Sequence, residues 1–166
     1  MTSAVVSHPG TLRIRQMEAG DAAALVRFHS SLSPHTTYLR FFSIHPELTP
    51  GEVDRFTHVD HRDREALVAI ADGDIVGVGR FDGNDASSEA EVAFVVTDTW
   101  QGHGVGRMLF DALVGHARQV GIKRFVAETL PHNRRMLNLF HGCGLPVTSR
   151  FDGEVVRVTI DLIPNG

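Results

Sequence analysis

One segment of this 166-residue chain points to its fold: Gln101-Gly102-His103-Gly104-Val105-Gly106. Residues 91–96 before it are mostly apolar and rich in valine, which predicts a buried strand. Residues 105–120 after it carry apolar side chains at helical spacing, which predicts a helix. A glycine-rich turn between a strand and a helix lets backbone N–H groups approach a phosphate, and the helix N-terminus adds about half a positive charge. The segment therefore predicts a site for a phosphorylated ligand.

Two well-known phosphate motifs do not fit this segment. The dinucleotide fingerprint needs a third glycine three residues after the second, and Leu109 or Arg107 stands there instead, depending on which glycine pair opens the motif. A Walker loop needs Gly-Lys-Ser/Thr, which the chain lacks. The remaining pattern, Gln-x-x-Gly-x-Gly, resembles the pyrophosphate loop of the Gcn5-related N-acetyltransferase (GNAT) family. A plain turn without a ligand could have the same six residues, so the next segment matters.

That next segment continues the same family pattern. Gly121 ends the predicted helix, and residues 123–129 read as a strand. Pro131-His132-Asn133 then opens a second helix, which runs to His141. The positions that match the family pattern are Asn133, Met136, Leu139-Phe140 and Gly144-Leu145. The two segments together cover about residues 91–145, and their combination identifies the chain as a member of the GNAT family by resemblance.

The rest of the chain completes an α/β pattern. Its predicted elements are a strand at 12–15, a helix to about residue 31, helices from residues 34 and 49, strands at 65–70 and 74–81 joined by a tight turn, and a last strand at 154–162. This order predicts a mixed α/β sheet with helices on both faces. The resemblance implies a mostly antiparallel sheet with one splayed parallel pair, which admits the pantetheine arm of acetyl-CoA. Residues 1–10 are predicted to be a flexible tail, and 11–166 a single N-acetyltransferase domain.

Composition indicates which cellular compartment and which partners to expect. The chain has no run of 18 apolar residues and no apolar leader segment, so we expect neither a membrane span nor secretion. Its only cysteine, Cys143, excludes an internal disulfide and favours the reducing cytoplasm. The net charge of −4 argues against nucleic acid as a partner and fits a cationic acceptor, such as a lysine side chain or a polyamine.

Acetyl transfer to an amine requires a base. The attacking nitrogen must be neutral, whereas a free lysine titrates near about 10.4. The resemblance implies that Glu91, which opens the strand beside the ligand, is this general base. The alternative is a solvent-exposed strand residue that pairs with Arg80 or Arg124. Glu89 is the nearest rival, predicted to lie in the loop before the strand.

The resemblance also implies where acetyl-CoA binds. Backbone groups of Phe94, Val95 and Val96 are expected to bind pantetheine, and an N–H near Val95 or Val96 could stabilise the oxyanion. The pyrophosphate is expected to follow Gln101, on Gly102, His103, Gly104, Val105, Gly106 and Arg107. Asn133 is expected to hydrogen-bond the cofactor near its cysteamine end, with a helix N-cap as the alternative.

Two residues depart from the family pattern. His103 stands where the family usually has Arg or Lys, so phosphate binding would weaken as the imidazole loses its charge. Phe140 stands where many members have a tyrosine that protonates the departing thiolate, which phenylalanine cannot do. Cys143 is interpreted as a buried residue. No metal site is predicted, because the family chemistry needs none and His58, Asp60 and His61 fit a solvated helix end better.

A second resemblance indicates the class of molecule that accepts the acetyl group. It rests on Ser31-Leu32-Ser33-Pro34, Tyr38-Leu39-Arg40-Phe41-Phe42, His58-Val59-Asp60 and Ala66-Leu67-Val68-Ala69. These segments resemble the catalytic domain of bacterial Pat-type protein lysine acetyltransferases. Such enzymes acetylate the active-site lysine of acyl-CoA synthetases and often carry a regulatory domain. The chain is too short to include one, so it is predicted to be a stand-alone catalytic domain or a piece of a longer protein.

The leading hypothesis is an acetyl-CoA-dependent N-acetyltransferase that acetylates a protein lysine, such as that of an acyl-CoA synthetase, by direct transfer. One alternative is an acetyltransferase for a small amine: an amino acid, a polyamine or an antibiotic. The other is a non-catalytic coenzyme A-binding regulatory module, indicated by Phe140 and His103.

Overall fold

Seven strands and five helices make up the part of the chain that the computed structural model describes, residues 12–83 and 88–163. The strands are β1 Leu12–Gln16, β2 Arg64–Ala71, β3 Asp74–Gly83, β4 Glu89–Val96, β5 Arg124–Thr129, β6 Val147–Phe151 and β7 Val156–Asp161. The helices are α1 Ala22–Ser30, α2 Pro34–Phe41, α3 Pro50–Thr57, α4 Val105–Gln119 and α5 Arg134–His141. The predicted tail, residues 1–10, lies outside the described residues. None of the described helices is long and apolar enough to cross a membrane.

The strands form one sheet in the order β1-β2-β3-β4-β5-β7-β6. Every neighbouring pair is antiparallel except β4 and β5, which are parallel. These two strands pair only from Glu89↔Arg124 to Glu91↔Val126, although they continue to Val96 and Thr129. They therefore separate after Glu91 and leave a gap in the sheet. The predicted mixed, mostly antiparallel sheet with a splayed parallel pair is confirmed.

Helices cover both faces of the sheet, and the pattern of β2 shows why. Its side chains alternate between two hydrophobic clusters, as the period of two along a strand requires. On one face, called the α4 face, α4 and α5 pack against the sheet through residues such as Leu67, Ala69, Leu109, Leu113 and Phe140. On the other face, called the α1 face, α1 and α3 pack against the sheet through residues such as Ala66, Val68, Leu25, Phe28 and Phe56. The helices on both faces leave β2 buried along nearly its whole length.

Local capping fixes the starts of two helices. Ser33 Oγ accepts a hydrogen bond from Thr36 N at 3.1 Å at the start of α2. Thr49 and Glu52 form a capping box at the start of α3. Each satisfies an N–H group that the first turn of a helix leaves without a partner. These starts agree with the helices that the sequence predicts from residues 34 and 49.

Two predictions about strands were wrong. The sequence analysis missed β6, whose side chains are mostly exposed, so that it lacks the alternation of apolar residues by which a strand is recognised. It also extended the last strand over residues 154–162, whereas β7 is Val156–Asp161. Glu154 instead lies in the turn between the two strands, where its backbone N–H donates to Asp152 Oδ1 at 3.0 Å.

Candidate active site

The gap between β4 and β5 opens into a cavity of about 510 Å³. Its walls come from β3, β4, β5, α2, α5 and the N-terminal end of α4. A cavity of this volume lies within the range of ligand sites, roughly 300–1,000 Å³. It is therefore large enough for the reactive end of an extended ligand.

All but one of the site residues predicted from the sequence line this cavity. They are Glu91, Phe94, Val95, Val96, Gln101, Gly102, Gly104, Val105, Gly106, Arg107 and Asn133. His103 is the exception: its side chain is exposed, and its ring lies 6.0 Å from that of Trp100 in an edge-on arrangement. The cavity wall is thus contributed by the glycines on either side of His103.

The N-terminus of α4 presents unpaired N–H groups to the cavity. Gly102 and Gly104 have φ angles of 82° and 85°, in the left-handed region that glycine adopts without a steric penalty. None of the N–H groups from residue 102 to residue 107 donates a hydrogen bond to a described residue. These donors and the positive end of the helix dipole together make a site for an anion.

The Gln101 side chain connects the end of β4 to α2 by two hydrogen bonds. Its Nε2 donates to Val96 O at 2.9 Å and to Thr36 Oγ1 at 3.2 Å. Asp98 reinforces the same junction, because it accepts hydrogen bonds from Ser33 N, Ser33 Oγ and Thr36 Oγ1. Burial acts to raise the pKa of Asp98, but these hydrogen bonds outweigh it and the pKa lies below its usual value. Gln101 therefore positions the wall of the cavity.

Two further predicted ligand residues have structural partners. Asn133 Oδ1 accepts a hydrogen bond from Met136 N at 3.2 Å, so the residue caps α5 while it also lines the cavity. The Arg107 guanidinium bonds Asp111 at 2.9 Å, and reaches Gly142 O and Cys143 O at 3.1 and 3.2 Å. This side chain joins α4 to the end of α5. Only the backbone N–H of Arg107 therefore remains available to an anion.

Glu91 lies at the point where the strands separate. It is exposed, and its carboxylate makes no hydrogen bond or ion pair with a described residue. The exposed strand residue of the alternative interpretation is confirmed, but Glu91 forms no ion pair with Arg80 or Arg124, because Arg80 binds Asp82 and Arg124 binds Glu89, each at 2.8 Å. Glu89 was also wrongly placed in a loop, since it begins β4.

Three arginines that were not predicted as ligand-binding residues also line the cavity. They are Arg40 of α2, Arg80 of β3 and Arg135 of α5. Arg135 lies beside the glycine-rich turn, where its Nη1 would be 3.1 Å from a Cβ added to Gly102. A signal for Arg80 was present, because it interrupts an apolar strand on the face that Val78 buries. The proximity of Arg40 depends on how α2 packs, which no local pattern predicts.

Phe140 belongs to the core of the α4 face. It is buried, and its ring centroid lies 6.2 Å from those of Phe94 and Phe110. Cys143 is buried nearby, as predicted from the sequence. Phe140 also borders the cavity, so this wall offers an aromatic ring where a tyrosine would offer a hydroxyl.

The histidines that could have suggested a metal have other partners. His58 Nδ1 lies 3.0 Å from Asp54 O, and His61 Nδ1 lies 2.6 Å from Glu65 Oε1. Asp60 accepts backbone hydrogen bonds from two following arginines. Within residues 12–83 and 88–163, no group of three or more His, Cys, Asp or Glu side chains could hold a metal ion.

The sequence profile of the acetyltransferase (GNAT) family matches residues 31–145, which include both the cavity loop and α5. The chain belongs to the GNAT family. It is an N-acetyltransferase, and its acetyl donor is acetyl-CoA. This GNAT chain is 33% identical over 155 residues to the acetyltransferase Pat of Mycolicibacterium smegmatis. The matched region is 91% of the chain but only 46% of that protein, so the chain spans less than half the length of this curated relative.

Solved structures support the same assignment. The GNAT domain of S. lividans PAT superposes with a TM-score of 0.85 at 37% identity, over 90% of each chain. A cAMP-binding acyltransferase from Mycobacterium smegmatis superposes with a TM-score of 0.64 at 28% identity, over 92% of this chain and 44% of that one. The GNAT fold is therefore shared with a domain of larger proteins.

The residues of the cavity fit acetyl-CoA. The unpaired N–H groups at the start of α4 suit a pyrophosphate. Beyond Glu91, no described strand pairs with β4 on the side of β5, so its backbone is open to the amide groups of a pantetheine arm. Arg135 adds positive charge beside the phosphate site.

Proposed function

We propose that the chain acetylates a lysine side chain of a protein by direct transfer from acetyl-CoA, with Glu91 as the general base. The observation that carries this proposal is the position of Glu91. Its carboxylate makes no hydrogen bond or ion pair with a described residue, and it stands where β4 and β5 separate. A base at this point reaches the amine beside the thioester end of a donor in the gap.

The chemistry divides among few groups. Glu91 takes a proton from the lysine ammonium, directly or through a water, and the neutral nitrogen attacks the thioester carbonyl. Backbone N–H groups near Val95 or Val96 are the proposed donors to the oxygen of that carbonyl. The carbon–sulfur bond breaks and coenzyme A leaves as a thiolate. A thiol pKa of about 8.5 makes this thiolate a tolerable leaving group without an acid at Phe140.

Similarity supports a protein acceptor. The chain is 37% identical to the GNAT domain of S. lividans PAT over 90% of both chains. An acyl-CoA synthetase is the acceptor that the Pat-like segments of the sequence favour, and the cytoplasm is the proposed compartment. Because a full-length relative is about twice as long, we propose that a regulatory domain can accompany this one in a longer protein.

Phe140 favours one other function. Without a hydroxyl at this place, the domain could bind coenzyme A as a regulatory module that transfers nothing. A small-amine acetyltransferase also stays possible from the cavity alone. Both alternatives predict that no protein lysine gains an acetyl group.

Intact-mass spectrometry of an acyl-CoA synthetase tests the proposal. We expect a gain of one acetyl group after incubation with the chain and acetyl-CoA, and no gain when the chain is omitted. The binding of acetyl-CoA is checked on the same sample by calorimetry. An unchanged mass with a sample that binds acetyl-CoA would contradict a protein lysine acetyltransferase.

A further inference from the structure

Two arginines line the part of the cavity next to Glu91. Arg40 of α2 and Arg80 of β3 line it together with two carboxylates, Asp82 and Glu91. Both arginines also line a smaller pocket against α1 and α3, so they lie at the α1 face of the sheet. The phosphate site is at the end of α4, which packs on the other face. The two arginines therefore lie on the face of the sheet opposite the one on which α4 packs.

Asp82 is already neutralised by its own partners. Its carboxylate lies 2.8 Å from Arg80 Nη2, 2.9 Å from Arg64 Nε and 3.4 Å from Arg55 Nη2. Three guanidinium groups around one carboxylate leave a surplus of positive charge. Asp82 is thus shared among three other arginines and makes no ion pair with Arg40.

Arg40 makes no direct ion pair with a described residue, although the nearby carboxylates of Glu91 and Asp82 act on its charge from a distance. Within the described residues its guanidinium makes no hydrogen bond or ion pair, and its ring contact is with Phe41, 4.7 Å from the centroid. Burial, and then the positive charge of Arg80, lower the pKa of Arg40 to about 10. A buried charge is costly unless it is paired. The planar fork of a guanidinium matches the geometry of a carboxylate.

We propose that Arg40 and Arg80 form a carboxylate-binding subsite, and that the acceptor carries a carboxylate close to the amine that is acetylated. The inference rests on the proposed function only for the identity of the amine. The carboxylate can belong to an aspartate or glutamate beside the acceptor lysine, or to a free amino acid. The subsite would reject polyamines, whereas the net charge of the whole chain favours cationic acceptors.

Matched peptides test the subsite by binding. Two peptides with one central lysine, flanked by glutamate in one and by glutamine in the other, are titrated into the chain with coenzyme A present. We expect the glutamate peptide to bind about tenfold more tightly, because charge-assisted hydrogen bonds stabilise it. Arg40→Gln should abolish this difference. Arg27→Gln, an exposed arginine of α1, is the matched control and should retain it.

The comparison of the two peptides on the unaltered chain is decisive without any variant. Glycine is titrated as well, as the free amino acid. Equal affinity for the two peptides would contradict the subsite, and so would the absence of binding of both peptides and of glycine. So would a preference that survives in a folded Arg40→Gln chain. Glycine binding that depends on Arg40, with no peptide binding, would keep the subsite and assign the carboxylate to a free amino acid.

Turnover of the same peptides separates this inference from the proposed function. Binding that favours the glutamate peptide without acetylation of either peptide would contradict the protein lysine acetyltransferase and leave the subsite standing. Acetylation of both peptides at equal rates, with equal affinity, would contradict the subsite alone.

Discussion

At the residue scale, two neighbouring carboxylates of the sheet differ in their partners. Asp82 and Glu91 are direct partners across β3 and β4. Three arginines bind Asp82, whereas Glu91 makes no hydrogen bond or ion pair with a described residue. Two like charges facing each other across strands repel, and the arginines around Asp82 offset that repulsion. The two carboxylates therefore differ in their surroundings: Asp82 is held by ion pairs, and Glu91 is the proposed base.

Gly104 offers a test of the phosphate site. Alanine there would have open space, but it would have to adopt a φ of 85°, at a cost of about 1–2 kcal/mol. We expect Gly104→Ala to raise the KM for acetyl-CoA about tenfold, because the N–H groups that follow would turn away from the pyrophosphate.

Gly73→Ala is the matched control for this change. Gly73 also has open space and a φ of 84°, but it lies in the turn between β2 and β3, away from the cavity. Both variants should lose similar stability, and only Gly104→Ala should change the KM. Equal KM values in steady-state kinetics would contradict a phosphate site at α4.

At the element scale, an ion pair ties β1 to the short turn before α1. Arg15 Nη1 and Nη2 donate to Asp21 Oδ2 and Oδ1 at 2.8 and 2.9 Å. The Asp21 carboxylate also accepts from Glu18 N at 2.7 Å. The hydrogen bond from Arg15, opposed by burial and aided by the Glu18 N–H, lowers the pKa of Asp21. This pair holds the first helix on the α1 face.

The lowered pKa of Asp21 predicts how stability depends on pH. Because the folded pKa lies below the unfolded value of about 3.9, the ion pair contributes fully above that pH and is lost as pH falls through the folded pKa. Asp21→Asn should therefore cost about 1–3 kcal/mol at pH 7 and progressively less below pH about 4. Asp74→Asn, an exposed aspartate, should cost little at either pH. Urea unfolding at several pH values measures both, and a constant difference for Asp21→Asn would contradict this role.

The sequence predicted those elements whose signals are local. The caps at Ser33 and Thr49 fix the starts of α2 and α3, and the glycine-rich turn fixes the start of α4. The sequence did not predict β6, because an exposed edge strand carries no alternating pattern. The shared location of Arg40 and Arg80 was not predicted, because they are 40 residues apart and come together only through the packing of α2 over the sheet.

At the scale of the whole molecule, the two faces of the sheet have different roles. Acetyl-CoA is expected to bind through the N-terminus of α4, which packs on one face, whereas the arginine subsite lies at the other. The gap between β4 and β5 connects them, and Glu91 stands at its beginning. The account therefore requires that Glu91 take the proton of an amine that approaches from the α1 face.

The most direct test of this requirement is the kcat for acetylation of an acyl-CoA synthetase by the chain and by Glu91→Gln. The account predicts a fall of about 10²–10⁴-fold with an unchanged Kd for acetyl-CoA, because only the proton acceptor is removed. Glu89→Gln, which changes a carboxylate two residues away that binds Arg124, should retain most of the activity. Wild-type kcat in Glu91→Gln, or an equal loss in Glu89→Gln, would contradict the role of Glu91.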